Sequence, residues 1–98
     1  MKISVLKLAR NDLREIREYL SEYGVHPPQK FRASFEKFGV QVADNPYMFS
    51  QYELNPLYRR AVIAYGYLVF YQVDEKTGNI KIYRVLSGRR NIMPLLDQ

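Results

Sequence analysis

The sequence predicts an α+β domain in which a helical hairpin packs on one face of a mainly antiparallel, four-stranded sheet, in the order β-α-α-β-β-β. Two stretches in the first half have apolar residues at every third or fourth position, which is the spacing of amphipathic helices. The second half contains short apolar or alternating runs separated by glycine turns, which is typical of strands. A chain of 98 residues supports one core, so residues 1–98 are expected to form a single domain.

The first two elements are a strand and a helix. Residues 2–8 alternate between two sides of an extended chain, with Ile3 and Val5 on one side, which predicts a short strand. Asn11 and Asp12 are candidate N-caps, and Asp12 with Glu15 has the spacing of a capping box, so we expect the helix to begin there. Gly24 would end it. The apolar stripe of this helix is predicted to consist of Leu13, Ile16, Leu20 and Tyr23.

A second helix follows directly. The segment His26-Pro27-Pro28 predicts its first turn, where proline is tolerated. Asn45-Pro46 ends it, and residues 45–57 are expected to form an irregular loop. Its apolar stripe is predicted to consist of Phe31, Phe35, Phe38 and Val42.

Strands dominate the rest of the chain. A turn is predicted at Tyr65-Gly66, and the segment 74–78 predicts a hairpin turn that requires the left-handed freedom of Gly78. The run 68–73 is apolar on both faces, so this strand should be central. Residues 91–97 could form a short final helix, interrupted by Pro94. The three strands of this half are predicted over residues 58–65, 67–74 and 79–86.

Charge and composition restrict the function. Residues 1–56 hold eight Lys/Arg against seven Asp/Glu, and residues 57–98 hold seven against three, so the net charge of +5 lies mostly in the strand-rich half. A basic face suits a polyanion or an acidic protein partner. The chain has no cysteine, which excludes disulfides and thiolate chemistry. No signal peptide or membrane span is recognisable, so we expect a cytoplasmic protein without a membrane partner. The sequence has no metal-ligand spacing and no Gly-rich phosphate loop, so we expect no metal and no cofactor.

Four segments together resemble the RelE/ParE superfamily of bacterial toxin–antitoxin toxins. They are Asn-Asp-Leu-Arg-Glu-Ile-Arg-Glu-Tyr at 11–19, Asn-Pro at 45–46, Tyr-Leu-Val-Phe-Tyr-Gln-Val at 67–73 and Arg-Val-Leu-Ser-Gly-Arg-Arg at 84–90. The resemblance favours the ParE-like branch. It implies a growth-inhibiting toxin of the kind associated with plasmid stabilisation, held by a cognate antitoxin in a hetero-oligomer. The antitoxin is expected at a strand edge or in a groove beside the helical hairpin, by helix docking or strand addition.

The resemblance implies one of two activities. RelE-like members cut messenger RNA on the ribosome, whereas ParE-like members poison DNA gyrase. When the RelE pattern of three cations, an exit arginine and a tyrosine is placed on this chain without gaps, it falls on Arg59, Ala61, Leu68, Arg90 and Leu96. Three of these five positions are apolar, which favours gyrase as the target and a non-enzymatic function.

A ribosome-dependent nuclease remains the alternative, as does a nontoxic binding module on the same fold. RNA cleavage needs an acid, a base and cations for the developing negative charge. Ser87 occupies the position where related nucleases have an exit-turn histidine. The single histidine, His26, is interpreted as a turn residue, and Glu53 as an ordinary loop carboxylate. The nuclease alternative would use Arg59, Arg90 and Tyr83.

Five arginines are the candidate target-binding residues. Arg59 and Arg60 should point to opposite sheet faces because strand side chains alternate. The pair Arg89-Arg90 could bind phosphates or carboxylates, or form a salt bridge to Asp97, Asp74 or the C-terminus. Arg84 could face an antitoxin carboxylate. The full predicted set is Arg59, Arg60, Arg84, Arg89 and Arg90. For Tyr71 and Tyr83 a packing role is favoured over a binding role.

Overall fold

The computed structural model describes residues 1–97. It contains one four-stranded sheet, two long helices and a short C-terminal helix, in the predicted β-α-α-β-β-β order. A 3₁₀ turn at Ala64–Gly66 joins the second and third strands. The elements are β1 (Lys2–Val5), α1 (Lys7–Ser21), α2 (His26–Asp44), β2 (Arg59–Val62), β3 (Tyr67–Asp74), β4 (Asn79–Ser87) and α3 (Met93–Leu96).

The strand order in the sheet is β1-β4-β3-β2. β3 pairs antiparallel with both β2 and β4, and β1 pairs in parallel with β4. The prediction of a mainly antiparallel sheet with the 67–74 strand in the centre is therefore confirmed. The hairpin turn is confirmed too, because Gly78 has a φ of 69° and Asp74 Oδ1 accepts the backbone N–H groups of Lys76 and Thr77.

Each face of the sheet has its own core. The helices cover one face, where Phe38 and Val42 from α2 pack with Val69 and Tyr71 from β3. Tyr71 is fully buried, and its hydroxyl donates to the Pro46 carbonyl at 3.0 Å, which confirms its packing role. The second core lies on the opposite face, under α3 and the loop before β2. Its buried members are Tyr52, Tyr58, Phe70, Leu86, Ile92 and Leu96.

The start of α1 differs from the prediction. The first strand ends at Val5, and α1 begins at Lys7 with Leu6 as the N-cap residue. Asp12 therefore lies inside the helix, where it is buried. Its carboxylate binds groups on β4 and does not cap the backbone of the first turn of α1. The capping-box interpretation of Asp12 was wrong.

The apolar stripe of α1 also needs one correction. Ile16 and Leu20 are buried as predicted, and Ala9 joins them one turn earlier than expected. Tyr23 is 66% exposed because α1 ends at Ser21, two residues before it. In α2 the predicted stripe is confirmed, although Phe35 is only partly buried. The prolines at its start occupy the first turn, and Asn45 ends it.

β2 is shorter than predicted. It covers four residues, because the chain turns after Val62 and the Ile63 N–H donates to the Tyr67 carbonyl at 2.9 Å. Within this turn Tyr65 has a φ of 61°, and it is the only non-glycine residue with positive φ in the described part of the chain. β4 extends one residue beyond its predicted end, to Ser87.

A buried ion pair joins α1, β4 and α3. Arg84 Nε lies 2.8 Å from Asp12 Oδ2 and Nη2 lies 3.0 Å from Asp12 Oδ1, a bidentate geometry. The same carboxylate accepts the backbone N–H of Val85 at 2.9 Å, and Arg84 Nη1 donates to the Leu95 carbonyl at 2.9 Å. The hydrogen-bonded Asp12 carboxylate raises the pKa of Arg84, against the opposing effect of burial.

Asp12→Asn tests this ion pair. The change keeps the side-chain shape but leaves the buried guanidinium without its counter-charge, and we expect it to lower the free energy of unfolding by about 3 kcal/mol. Urea unfolding followed by circular dichroism measures the loss. Glu36→Gln is the control, because the Arg32–Glu36 pair is exposed and its loss should cost less than about 1 kcal/mol. Equal costs for the two changes would contradict the prediction.

Candidate interaction site

Arg59 is half-buried and bound within the chain. Its Nη1 donates to the Phe49 carbonyl at 2.8 Å, and its guanidinium carbon lies 4.8 Å from the ring centroid of Tyr47. The Tyr47 hydroxyl in turn donates to Glu75. These contacts hold Arg59 against the loop that follows α2.

Arg60 is exposed on the other side of β2. Its guanidinium carbon lies 5.6 Å from the ring centroid of Tyr52, which belongs to the second core. The neighbouring Ala61 packs in the core on the helix side. Arg59 and Arg60 therefore point to opposite faces, as the strand alternation predicts, and a single flat surface cannot use both.

Arg84 differs from the other four candidate arginines because it is buried. All three nitrogens of its guanidinium bind groups inside the chain, on Asp12 and at the Leu95 carbonyl. No part of this cation is presented to a partner in the isolated fold. Arg84 is therefore not part of an exposed binding surface.

Arg89 and Arg90 are exposed in the turn that follows β4. The turn is fixed by backbone hydrogen bonds from Gly88 N–H to the Gly66 carbonyl and from Arg90 N–H to the Ser87 carbonyl, both 3.1 Å long. Ser87 Oγ also accepts the Arg89 N–H at 3.3 Å. Neither guanidinium forms an ion pair with any residue from 1 to 97. The alternative of a salt bridge to Asp74 is not realised, because Asp74 pairs with Lys81.

The three residues of the nuclease alternative do not converge. In the sheet, Arg59 on β2 lies opposite Tyr71 on β3. Ser87, three residues before Arg90, lies opposite Tyr67 at the other end of β3. Four residues of strand separate these positions, or about 13 Å along β3. Tyr83 packs its ring at 5.3 Å from that of Tyr58, next to the second core.

The apolar positions of the RelE pattern are used for packing. Ala61 is 1% exposed on the helix side, and Leu96 is 5% exposed in the second core, where Leu68 also packs. Glu53 is exposed in the loop before β2, and His26 is exposed at the first residue of α2.

A groove lined by tyrosines and arginines lies between α1 and the end of β4. Two adjoining concavities of about 320 Å³ and about 690 Å³ form it, and they share Tyr19, Tyr67 and Ser87. We call it the tyrosine groove. It is defined by Tyr19, Tyr23, Tyr65, Tyr67, Arg89 and Arg90.

The tyrosines of this groove differ in burial. Tyr19 and Tyr23 pack edge to face with ring centroids 5.5 Å apart, and both are more than half exposed. Tyr67 is buried against Phe31, and burial raises its pKa. Tyr65 is about half exposed, and Lys30 Nζ lies 5.4 Å from its ring centroid. Exposed aromatic rings next to arginines are typical of protein interfaces.

Sequence reasoning does not identify this groove. The helical spacing assigns Tyr23 to the core, and Tyr19 enters only as part of a family-like segment. The available signal is the four-residue spacing of Tyr19 and Tyr23, which places both rings on one helix face. Their proximity to Arg89 depends on the tertiary fold and has no local sequence signal.

A second, more apolar groove lies on the outer side of the helical hairpin. It has a volume of about 430 Å³, and Leu13, Phe31 and Phe35 supply its apolar surface. Arg17 and Arg32 lie at its edge. We call it the hairpin groove.

Two further features, a metal site and a membrane-spanning helix, were looked for in the part of the chain that the structure describes. Within residues 1–97, no group of three or more His, Asp or Glu side chains is arranged to hold a metal ion. No helix among these residues is both long enough and apolar enough to cross a membrane.

The structure is a small α+β domain with an open groove between α1 and the end of β4. The family model described as "ParE toxin of type II toxin-antitoxin system, parDE" matches residues 3–92, and the chain belongs to this family. It is a ParE-like toxin of a type II toxin–antitoxin system, and this membership implies an antitoxin partner.

One solved structure agrees at the level of the fold. The structure described as "Chromosomal ParDE TA system from P. aeruginosa" matches with a TM-score of 0.63 and 18% sequence identity, over 89% of this chain and 95% of that one. No curated protein matches the chain significantly in sequence.

Tyr65→Asn tests whether the left-handed backbone at this position is strained. Asparagine tolerates positive φ better than tyrosine, so we expect the free energy of unfolding to rise by about 0.5–1 kcal/mol. Urea unfolding gives the value. Tyr23→Asn is the control, since Tyr23 is similarly exposed but has no positive φ. A loss of stability on Tyr65→Asn would mean that the contacts of the ring outweigh the backbone strain.

Proposed function

We propose that this toxin stops bacterial growth by binding DNA gyrase in the cytoplasm, rather than by cutting RNA. The chain belongs to the ParE family, and gyrase is the target that the resemblance to the ParE-like branch implies. The observation with the most weight is the packing of Ala61, Leu68 and Leu96. These side chains occupy positions where the nuclease pattern needs cations and a tyrosine, and they can neither transfer protons nor stabilise a phosphorane.

The proposed target-binding surface centres on Arg89 and Arg90. Both are exposed, held by a hydrogen-bonded turn and free of ion pairs with the described residues. A guanidinium that is not already paired can bind a carboxylate or phosphate bidentately. Arg60 is exposed as well, but it lies on the face of the second core, about three residues of strand away from the β4 exit. It could contribute at the edge of a large interface.

We further propose that toxin and antitoxin form a hetero-oligomer in which an antitoxin helix occupies the hairpin groove. The apolar surface from Leu13, Phe31 and Phe35 suits the apolar face of an amphipathic helix. Arg17, which also lines the groove, would attract an acidic residue on the flank of that helix, whereas Arg32 is already paired with Glu36.

The double change Arg89→Gln and Arg90→Gln tests the target-binding surface. We expect it to abolish growth inhibition, because it removes both free guanidinium groups while leaving the folded state intact. The toxin is induced without its antitoxin, and DNA, RNA and protein synthesis are followed over the first minutes together with transcript integrity. For the unchanged toxin, DNA synthesis should stop first while transcripts stay whole.

Arg14→Gln is the matched control, since Arg14 is exposed on α1 and outside both grooves. It should remain as toxic as the original chain. An early block in translation with cut transcripts would overturn the gyrase proposal in favour of the nuclease alternative. Full toxicity of a folded double variant would remove Arg89 and Arg90 from the target surface.

Charge reversal tests the hairpin groove. Arg17→Glu should weaken antitoxin binding about threefold or more at low salt, because attraction becomes repulsion, and the difference should shrink as salt is added. Titration calorimetry measures both affinities. Lys37→Glu is the control, because Lys37 is exposed on α2 but does not line this groove. Equal losses in both variants would indicate a general charge effect and no specific groove.

A further inference from the structure

The turn between β2 and β3 holds a tyrosine in a backbone conformation that tyrosine rarely adopts. Tyr65 and Gly66 have φ values of 61° and 73°. The Tyr67 N–H donates to the Ala64 carbonyl, which closes the turn. Positive φ at both central positions is typical of a type I′ turn, whose first central position favours asparagine, aspartate or glycine. Tyr65 therefore occupies a position that does not suit its own backbone preference.

Neighbouring elements hold this turn from two sides. On one side the Ala64 N–H donates to Ser34 Oγ of α2 at 2.9 Å. On the other side the Gly88 N–H donates to the Gly66 carbonyl at 3.1 Å. Backbone strain persists only where the surrounding structure fixes the conformation, and strained positions are concentrated at functional sites. The conformation of Tyr65 therefore points to a use for its side chain.

The ring of Tyr65 does not fill a core. Tyr65 is 49% exposed and belongs to neither of the two hydrophobic cores. Lys30 Nζ on α2 lies 5.4 Å from the centroid of the ring, a cation–π contact that orients the ring and leaves half of it exposed. A half-exposed ring on a fixed backbone is available as an anchor for a partner.

Tyr65 and Arg89 belong to the same surface. Both line the larger concavity of the tyrosine groove, which has a volume of about 690 Å³. The turns that carry them are in direct contact, because a Cβ atom at Gly88 would lie only 3.1 Å from the Gly66 carbonyl oxygen. Backbone contacts therefore fix the position of Tyr65 relative to Arg89.

The lining of this concavity indicates what it can bind. Tyrosine rings supply most of its surface, and Arg89 is the only charged residue among the described residues that line it. A nucleic-acid strand needs a series of cations along its phosphates, whereas the adjoining concavity presents Glu15 beside Arg90. One guanidinium next to aromatic rings suits a single carboxylate beside an apolar side chain, and a protein surface provides both.

We propose that Tyr65 contacts the target protein together with Arg89, and that the two residues receive an apolar side chain and a neighbouring carboxylate of that protein. This inference rests on the proposed function, because it places the target on the surface that contains Arg89. The ring of Tyr65 supplies the apolar part of the contact, and Arg89 supplies the charge. The strained turn presents this ring at some loss of stability.

Tyr65→Asn separates target binding from packing. Asparagine suits the turn but removes the ring, so we expect the urea midpoint of unfolding to stay the same or to rise. The amount of toxin needed to halve the growth rate should nevertheless increase at least tenfold. Tyr65→Phe keeps the ring and should change this amount less than threefold. Immunoblotting measures the amount of each toxin variant in the induced cells.

Tyr47→Asn is the matched control. Tyr47 is exposed to a similar extent and also lies against a cation, but it does not line the tyrosine groove. Its replacement should leave growth inhibition unchanged. Full growth inhibition by Tyr65→Asn would overturn the proposal. A parallel loss of stability and growth inhibition would overturn it too, because the ring would then be a packing residue.

Binding to purified gyrase and to duplex DNA alone distinguishes the class of partner. The affinity of Tyr65→Asn for gyrase should fall at least tenfold, and its affinity for duplex DNA should equal that of the unchanged toxin. A tenfold fall for DNA alone, with the affinity for gyrase unchanged, would overturn the proposal in favour of a nucleic-acid surface.

The growth assay separates this inference from the gyrase proposal, because it does not depend on the identity of the target. If the unchanged toxin blocks translation first and Tyr65→Asn is harmless, the gyrase target fails and the role of Tyr65 in target contact stands. If the unchanged toxin blocks DNA synthesis first and Tyr65→Asn does so equally well, only the inference about Tyr65 fails.

Discussion

The ion pair between Asp12 and Arg84 is the interaction on which the rest of the structure depends. β1 ends at Val5, so it pairs with β4 only as far as Ile82. Further along β4, the Asp12 carboxylate accepts the Val85 N–H, which a neighbouring strand would otherwise bind. Arg84 neutralises the carboxylate and binds the Leu95 carbonyl, which fixes α3 over the second core. A buried ion pair adds little net stability compared with apolar packing, but it fixes how its elements are arranged. Here it fixes α1 at the distance from β4 that leaves the tyrosine groove open.

Most of the fold could be predicted because its signals are local. Each signal comes from residues that are close together in the sequence. The signals are the helical spacing of Phe31, Phe38 and Val42, the apolar strand 67–74 and the turn at Gly78. The start of α1 could not be predicted in this way. Asp12 has the local spacing of a capping box, but its actual partner Arg84 is 72 residues away, and a long-range contact prevailed over the local one.

The candidate site was predictable only in part, for a related reason. Arg89 and Arg90 are identified from a local segment, and both are exposed in a turn. Arg84 is in the same segment, yet its side chain is buried, because strand position alone does not show what covers a residue. The groove itself combines α1, the β2–β3 turn and the exit of β4. Tyr65 lines the groove, and its backbone has a left-handed conformation. This conformation is unusual for tyrosine, and no sequence rule would have predicted it.

The division of the sheet into two cores bears on where a function can lie. Phe70, Leu86 and Leu96 fill the face opposite the long helices, and α3 with the loop before β2 covers it. A face packed with apolar side chains stabilises the domain but cannot bind a substrate without opening. What remains available are the tyrosine groove with Arg89 and Arg90 at the exit of β4, and the hairpin groove on the helices. A scaffold that covers both faces of its sheet in this way leaves grooves and turns for its partners, so its function depends on the side chains placed there and not on the fold itself.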